Sequence, residues 1–126
     1  MSLLELTVVI LVLLSLITIV YVGARAWKRG SDRSMCILHI RQVQQGVRGY
    51  SHMNSFDPGD TVAGLKDEII GAGRFVESTP NCPGGGSYQF DGGEDLIPEI
   101  GDLYMSCTLG AEGAPEDHNP QNTADW

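Results

Sequence analysis

With 126 residues and a formal net charge of −8, the chain has room for one small soluble core, and its first sixth is so apolar that the remaining hundred or so residues must supply it. The charge is unevenly placed: residues 1–48 carry six bases against Glu5 and Asp32, net +4, whereas residues 49–126 carry Lys66 and Arg74 against fourteen acids, net −12. So acidic a C-terminal portion excludes nucleic acid as the main partner. Most of the 16 glycines fall after residue 58, which predicts a head rich in loops.

From Leu6 to Val22 there are seventeen residues without a charge, and with Leu3 and Leu4 the stretch approaches the ~20 residues that span a bilayer. A cleaved secretory signal would need a basic start and a small-X-small cleavage site, whereas here an acid stands at position 5 with bulky residues following. A plain single-pass anchor accounts for everything in the segment except Glu5. A carboxylate at the edge of the hydrocarbon costs ~2.5–3.5 kcal/mol unless something neutralises it. A free α-amino group, with a reference pKa of ~7.7–8.0, is a suitable partner, either the chain's own or that of a neighbouring copy. Pairing between copies would set their axial stagger.

The run Leu4-Glu5-Leu6-Thr7-Val8-Val9-Ile10, opening a long apolar helix with an acid at the fifth position, resembles the mature N-terminus of type IV pilins and type II secretion pseudopilins. The resemblance implies that a prepilin peptidase removes a short basic leader and methylates the new N-terminal amine. Met1 then takes the processed, methylated position, and Glu5 that of the glutamate which assists assembly. It further implies a subunit held in the inner membrane, then drawn by an inner-membrane assembly machinery into a homo-oligomeric helical filament, extracellular or periplasmic. A basic leader would also offset Arg25, Lys28 and Arg29, which by the positive-inside rule favour a cytoplasmic C-terminus, so the chain reads as the mature form. Many family members carry a glycine and a proline inside the apolar segment; Leu14 and Val22 stand at those positions here. The stem is therefore expected to stay largely helical, weakest at Ile17-Thr18-Ile19-Val20 or at Gly23.

Beyond the stem, Cys36, Ile40, Val43, Val47 and Tyr50 recur at spacings of four, three, four and three, one stripe of a helix that continues to about residue 53 despite Gly46 and Gly49. Asp57-Pro58-Gly59-Asp60 reads as a turn. Asp60 or Thr61 is placed to cap a short helix that ends at Gly71. Arg74 to Cys82 reads as extended chain, and Ser87–Asp91 and Leu103–Cys107 as an antiparallel pair joined by an acidic, Gly-rich connection. After Gly110 the composition predicts a wrapping or mobile tail with Trp126 as its one large apolar residue. The runs Cys36-Ile37-Leu38-His39-Ile40-Arg41-Gln42-Val43-Gln44-Gln45 and Cys82-Pro83-Gly84-Gly85-Gly86-Ser87-Tyr88 are similar to a subgroup of pseudopilin-like proteins with a Cys-Pro-X-Gly-Gly-X-Tyr element and a second Cys in a final strand, as Cys107 would be.

Three cysteines are present, and Cys82 and Cys107 flank the expected hairpin where its two strands lie side by side. A Cys82–Cys107 disulfide is therefore expected, in an oxidising compartment, with Cys36 left reduced in the core. Cys36, His39 and His52 share one helix but fall short of the four ligands of a structural zinc site, so no metal or other cofactor is assigned. A Cys/His nucleophile would need an orienting third residue and an oxyanion element, and none is evident, so no catalytic residue is assigned and the protein is read as not an enzyme. Asp91, Glu94, Asp95, Glu99 and Asp102 lack calcium-loop spacing and read as a solvated acidic loop. The glycines at 84–86 lack the Lys-Ser/Thr of a phosphate loop and read as a turn.

Taken together these elements predict an α+β fold: an apolar transmembrane and filament-core segment over residues 1–23, an amphipathic continuation of the helix over 24–54, and a small head with a short antiparallel sheet over 55–126. The expected function is structural polymerisation through the N-terminal helix. A basic collar of Arg25, Lys28, Arg29 and Arg33 is expected to contact acids of neighbouring subunits. A secretion pseudopilus and a non-polymerising, membrane-anchored binding module remain as alternatives.

Overall fold

A computed structural model describes residues 2–109 and 117–126; Met1 and the first part of the expected tail lie outside them. The chain falls into two units, Met1–Ser31 and Asp32–Trp126. Helix α1 spans Leu3–Asn54, 52 residues without a break at the β-branched run or at Gly23. Every described residue up to Ser31 is exposed. Hydroxyl groups in the apolar stretch are satisfied locally: Thr7, Ser15 and Thr18 each donate to a carbonyl of the preceding turn, on Leu4, Val12 and Leu14, all at 2.8 Å. That local bonding leaves the outside of this segment almost wholly apolar.

In the second unit the predicted stripe is the core face of α1. Cys36, Ile40, Val43 and Val47 are fully buried, against Leu65, Ile69, Ile97, Tyr104 and Met105. Gly46 and Gly49 weaken an isolated helix by ~1 kcal/mol each relative to Ala, and close packing explains them here. A Cβ on Gly46 would lie 3.0 Å from Cβ of Phe75 and 3.1 Å from Cγ2 of Ile69, whereas one on Gly49 would meet only the Phe75 ring, also at 3.0 Å. Ile69 is fully buried, but Phe75 is 48% exposed and free to yield. Gly49→Ala should therefore raise the urea midpoint of the head and Gly46→Ala should lower it, each by the equivalent of about 1 kcal/mol.

α1 ends without a glycine. Ser55 takes the left-handed conformation (φ 59°), and the Phe56 N–H closes onto the Ser51 carbonyl at 3.0 Å, a Schellman ending in which Phe56 stacks on Tyr50 with centroids 6.0 Å apart. The turn at Asp57–Asp60 is present: the Asp57 N–H donates to Oδ2 of Asp60 at 2.7 Å, and the Asp60 N–H returns to the Asp57 carbonyl at 3.1 Å. The short helix after it is shorter than the sequence suggests and starts differently. Helix α2 covers Leu65–Ile69 and follows Gly64 in a left-handed conformation, with no side-chain cap. Asp60 is engaged in the turn, and Thr61 is bridged to Leu96, so neither is available as the cap.

Strands β1 (Tyr88–Gln89) and β2 (Ser106–Cys107) pair antiparallel, with Tyr88 opposite Cys107 and Gln89 opposite Ser106. This is the predicted hairpin, trimmed to two residues a side. Between Arg74 and Cys82 the chain is irregular apart from a bridge from Val76 to Ile70. The long connection between the strands is held by α1 instead of by a sheet. Gln44, buried on the core face, donates Nε2 to the Asp102 carbonyl at 3.0 Å and accepts the Tyr104 N–H on Oε1 at 2.8 Å. One turn later the Arg48 guanidinium donates to the backbone oxygens of Pro98, Glu99 and Trp126 at 2.5, 2.8 and 2.9 Å. Burial pushes the Arg48 pKa down, with Glu99 and Asp102 opposing the shift. Replacing Gln44 by Leu leaves the buried Tyr104 N–H unpaired, a loss of about 1–3 kcal/mol. Denaturant unfolding followed through the aromatic near-UV signal should show it, and an unchanged midpoint would mean the amide contributes nothing.

Candidate functional site

Among the described residues, two places carry chemistry beyond packing. The first is the start of α1. The stretch meets a membrane span by length and composition, with a mean hydropathy of 2.8 over eighteen residues, none of them buried. At its head, the Ser2 N–H donates to Oε2 of Glu5 and the Glu5 N–H donates to Oγ of Ser2, both at 3.3 Å. This reciprocal pair is a capping box, Ser at the N-cap and Glu three residues on, and it satisfies two of the orphan donors at the helix start. Sequence reasoning missed it although the signal, Ser2-Leu3-Leu4-Glu5, was there to read. Glu5 therefore has a local role in the isolated subunit. Met1, the expected site of processing and methylation, lies outside the described residues.

Of the collar, Arg25 lies over the Tyr21 ring at 5.6 Å, and Lys28 and Arg29 are exposed. Arg33 is half-buried and donates Nε to the Asp117 carbonyl at 2.5 Å, a contact within its own chain. The acids Asp91, Glu94 and Asp95 are exposed and engaged separately, with Ser106, Lys66 and the Gly64 N–H respectively. These three acids do not converge on one point.

The second place is a buried cluster that the sequence divides among four elements. Cys36 comes from α1, Cys82 from the turn before β1, Cys107 from β2 and His118 from the C-terminal segment. All four are buried, and their ligand atoms lie within 4.8 Å of one another. The Sγ atoms of Cys82 and Cys107 are 3.7 Å apart, and Nδ1 of His118 is 3.4 Å from Sγ of Cys82. A disulfide needs ~2.05 Å between sulfurs. The three cysteines are free thiols, so the expected Cys82–Cys107 bond is not formed in this structure, although the two residues are neighbours as the hairpin requires. Cys36 and His118 share the same pocket as the two sulfurs.

Glycines and backbone amides shape this pocket. A Cβ on Gly86 would sit 3.0 Å from Sγ of Cys107 and 2.6 Å from Cγ of Leu109, and one on Gly84 would sit 2.9 Å from the His118 ring. The Gly84–Gly86 turn therefore lets backbone approach sulfur and imidazole, with Gly85 in a left-handed conformation (φ 91°). Burial raises the Cys82 thiol pKa, but Cys36 and the backbone N–H groups of Gly86 and Gly84 outweigh it, and the net direction is down. Burial pushes the thiols of Cys36 and Cys107 up.

His118 is placed by its neighbours. Asn119 accepts the Cys107 N–H on Oδ1 at 2.7 Å and donates Nδ2 to the Cys107 carbonyl at 3.1 Å, so it pairs with β2 like a further strand residue. Asp117, itself buried, accepts from the Asn119 N–H at 2.9 Å and from Nε2 of Gln121 at 2.8 Å. His39, which the sequence sets near Cys36, turns instead to the Tyr88 hydroxyl at 3.0 Å, and His52 is exposed. The metal set considered from the sequence is thus dispersed, and a different one is assembled. No local Cys-x-x-Cys or His-x-x-His spacing announces it, because each ligand arrives on a separate element.

No family model, curated protein or solved structure matches the chain.

Proposed function

We propose that this chain is a structural subunit of a type IV pilus-like filament, anchored in the inner membrane before assembly and polymerised through its N-terminal helix. The observation that carries the reading is a stem whose large apolar side chains, from Leu3 to Val22, are all exposed, opened by a single carboxylate at position 5. Such a surface requires either lipid or other copies of itself. Burial of about 1,000 Å² of it between neighbouring helices, at ~25 cal/mol/Å², supplies about 25 kcal/mol before ordering costs, enough for a non-covalent polymer. The same interface serves a long surface pilus or a short secretion pseudopilus.

The Ser2–Glu5 capping box favours a second reading, a non-polymerising anchor in which Glu5 only starts the helix. Shearing of intact cells, sedimentation and electron microscopy separate the two. The filament reading expects fibres containing the chain, long or confined to the periplasm on overexpression. Protein recovered only as dispersed membrane-bound subunits would support the anchor.

A further inference from the structure

We propose that Cys36, Cys82, Cys107 and His118 form a closed, structural zinc site that ties the C-terminal segment and the hairpin to α1. This inference is independent of whether the chain polymerises, since all four residues belong to the unit Asp32–Trp126.

The donor set is the first argument. Three thiolates and an imidazole are among the standard ligand sets of structural zinc, and four protein ligands leave no open position for substrate or water. Geometry is the second. With Zn–S at ~2.3 Å and Zn–N at ~2.0–2.1 Å, a tetrahedron has S···S edges of about 3.8 Å and S···N edges of about 3.5 Å. The Cys82–Cys107 and Cys82–His118 pairs, at 3.7 and 3.4 Å, already match. As all pairs lie within 4.8 Å, the widest needs to contract by about 1.3 Å at most to reach such an edge.

The surroundings are the third argument. Buried thiolates need hydrogen-bond donors, and the Gly84–Gly86 turn directs backbone N–H groups at Cys82 while the Leu109 N–H faces Cys107. The Tyr88 hydroxyl lies between Cys36 and His39. A Cβ on Gly86 would intrude on both Cys107 and Leu109, so the turn is shaped to the cluster. Zinc entry displaces the three thiol protons to solvent and leaves the imidazole neutral, giving a site of net charge −1.

Zinc and a Cys82–Cys107 disulfide exclude each other, because the disulfide consumes two of the three thiolates. The test uses the full chain in detergent, purified from its host without chelators and under anaerobic conditions. Elemental analysis should return one zinc per chain, and cobalt(II) exchanged for it should give the intense visible bands and thiolate charge transfer of a tetrahedral sulfur-rich site. His118→Ala should weaken zinc binding against a competing chelator by at least the ~10–100-fold typical of losing even an outer partner of a ligand. His118→Cys should restore tetrahedral cobalt with a stronger charge-transfer band. Reduced wild-type protein that takes up neither zinc nor cobalt overturns the site, and so does a cobalt spectrum indifferent to His118→Ala. Linked Cys82 and Cys107 peptides in protein taken directly from the cell also overturn it. The wild-type cobalt spectrum decides even if a cysteine variant fails to fold.

Discussion

Lysine at both Leu13 and Leu14 should remove the protein from the membrane while leaving its head folded. These two residues stand near the middle of the apolar stretch, 53% and 56% exposed, with no protein side chain to lose as a partner. A lysine at the centre of a spanning helix costs ~2.5–3.5 kcal/mol on insertion scales. Two therefore cost about 6 kcal/mol, more than a ten-thousandfold shift in partition if the effects add. The head core, built on Cys36, Ile40, Val43 and Val47, begins more than twenty residues later, so its near-UV dichroism should match the wild type. Fractionation with a high-salt wash reads the first part. A double variant still embedded in the membrane pellet would show that the stretch is not what holds the chain there.

How much of this was legible beforehand depended on the range of the interaction. The stem, the core stripe on α1 and the hairpin are written in local patterns, a run without charges, a four-three spacing and two β-prone segments around a turn. Each appears where the pattern placed it. Errors arose where a residue's partner is distant in sequence. Thr61 reads as a helix cap but bridges Leu96, and nothing local in the sequence marks Gln44 as the residue that holds the Asp102–Tyr104 backbone.

The cysteine–histidine cluster shows the same limit most clearly. Counting ligands along α1 found Cys36, His39 and His52 and stopped short of four. The cluster shares only Cys36 with that set; Cys82 and Cys107 had been assigned to a disulfide, and His118 lies in a segment whose composition suggested only a wrapping or mobile tail. That segment is fastened by Asn119 to both backbone groups of Cys107, and a side chain imitating a strand leaves no period to detect. Glu5 is the opposite case, since its capping box is a three-residue spacing legible in Ser2-Leu3-Leu4-Glu5.

Glu5→Gln carries the second large prediction because it separates those two roles. Glutamine keeps the capping box, as the third-position residue can be Glu or Gln, but carries no charge to pair with an N-terminal amine. If Glu5 only starts the helix, the variant should behave as wild type. In the filament reading the carboxylate exchanges its Ser2 partner for an amine and is withdrawn from water. Breaking a buried pair of that kind costs about 3–5 kcal/mol, more than two orders of magnitude per subunit contact. Ser2→Ala gives the converse control, losing the box while keeping the charge, and should still assemble.

The most direct measurement is filament yield from cells expressing Glu5→Gln beside the wild type, by shearing and sedimentation, once equal membrane insertion and head folding are confirmed. The account predicts wild-type filaments and almost none from the variant. Equal yields from the two would contradict the assembly role of Glu5 and leave the stem as a membrane anchor with a well-capped helix.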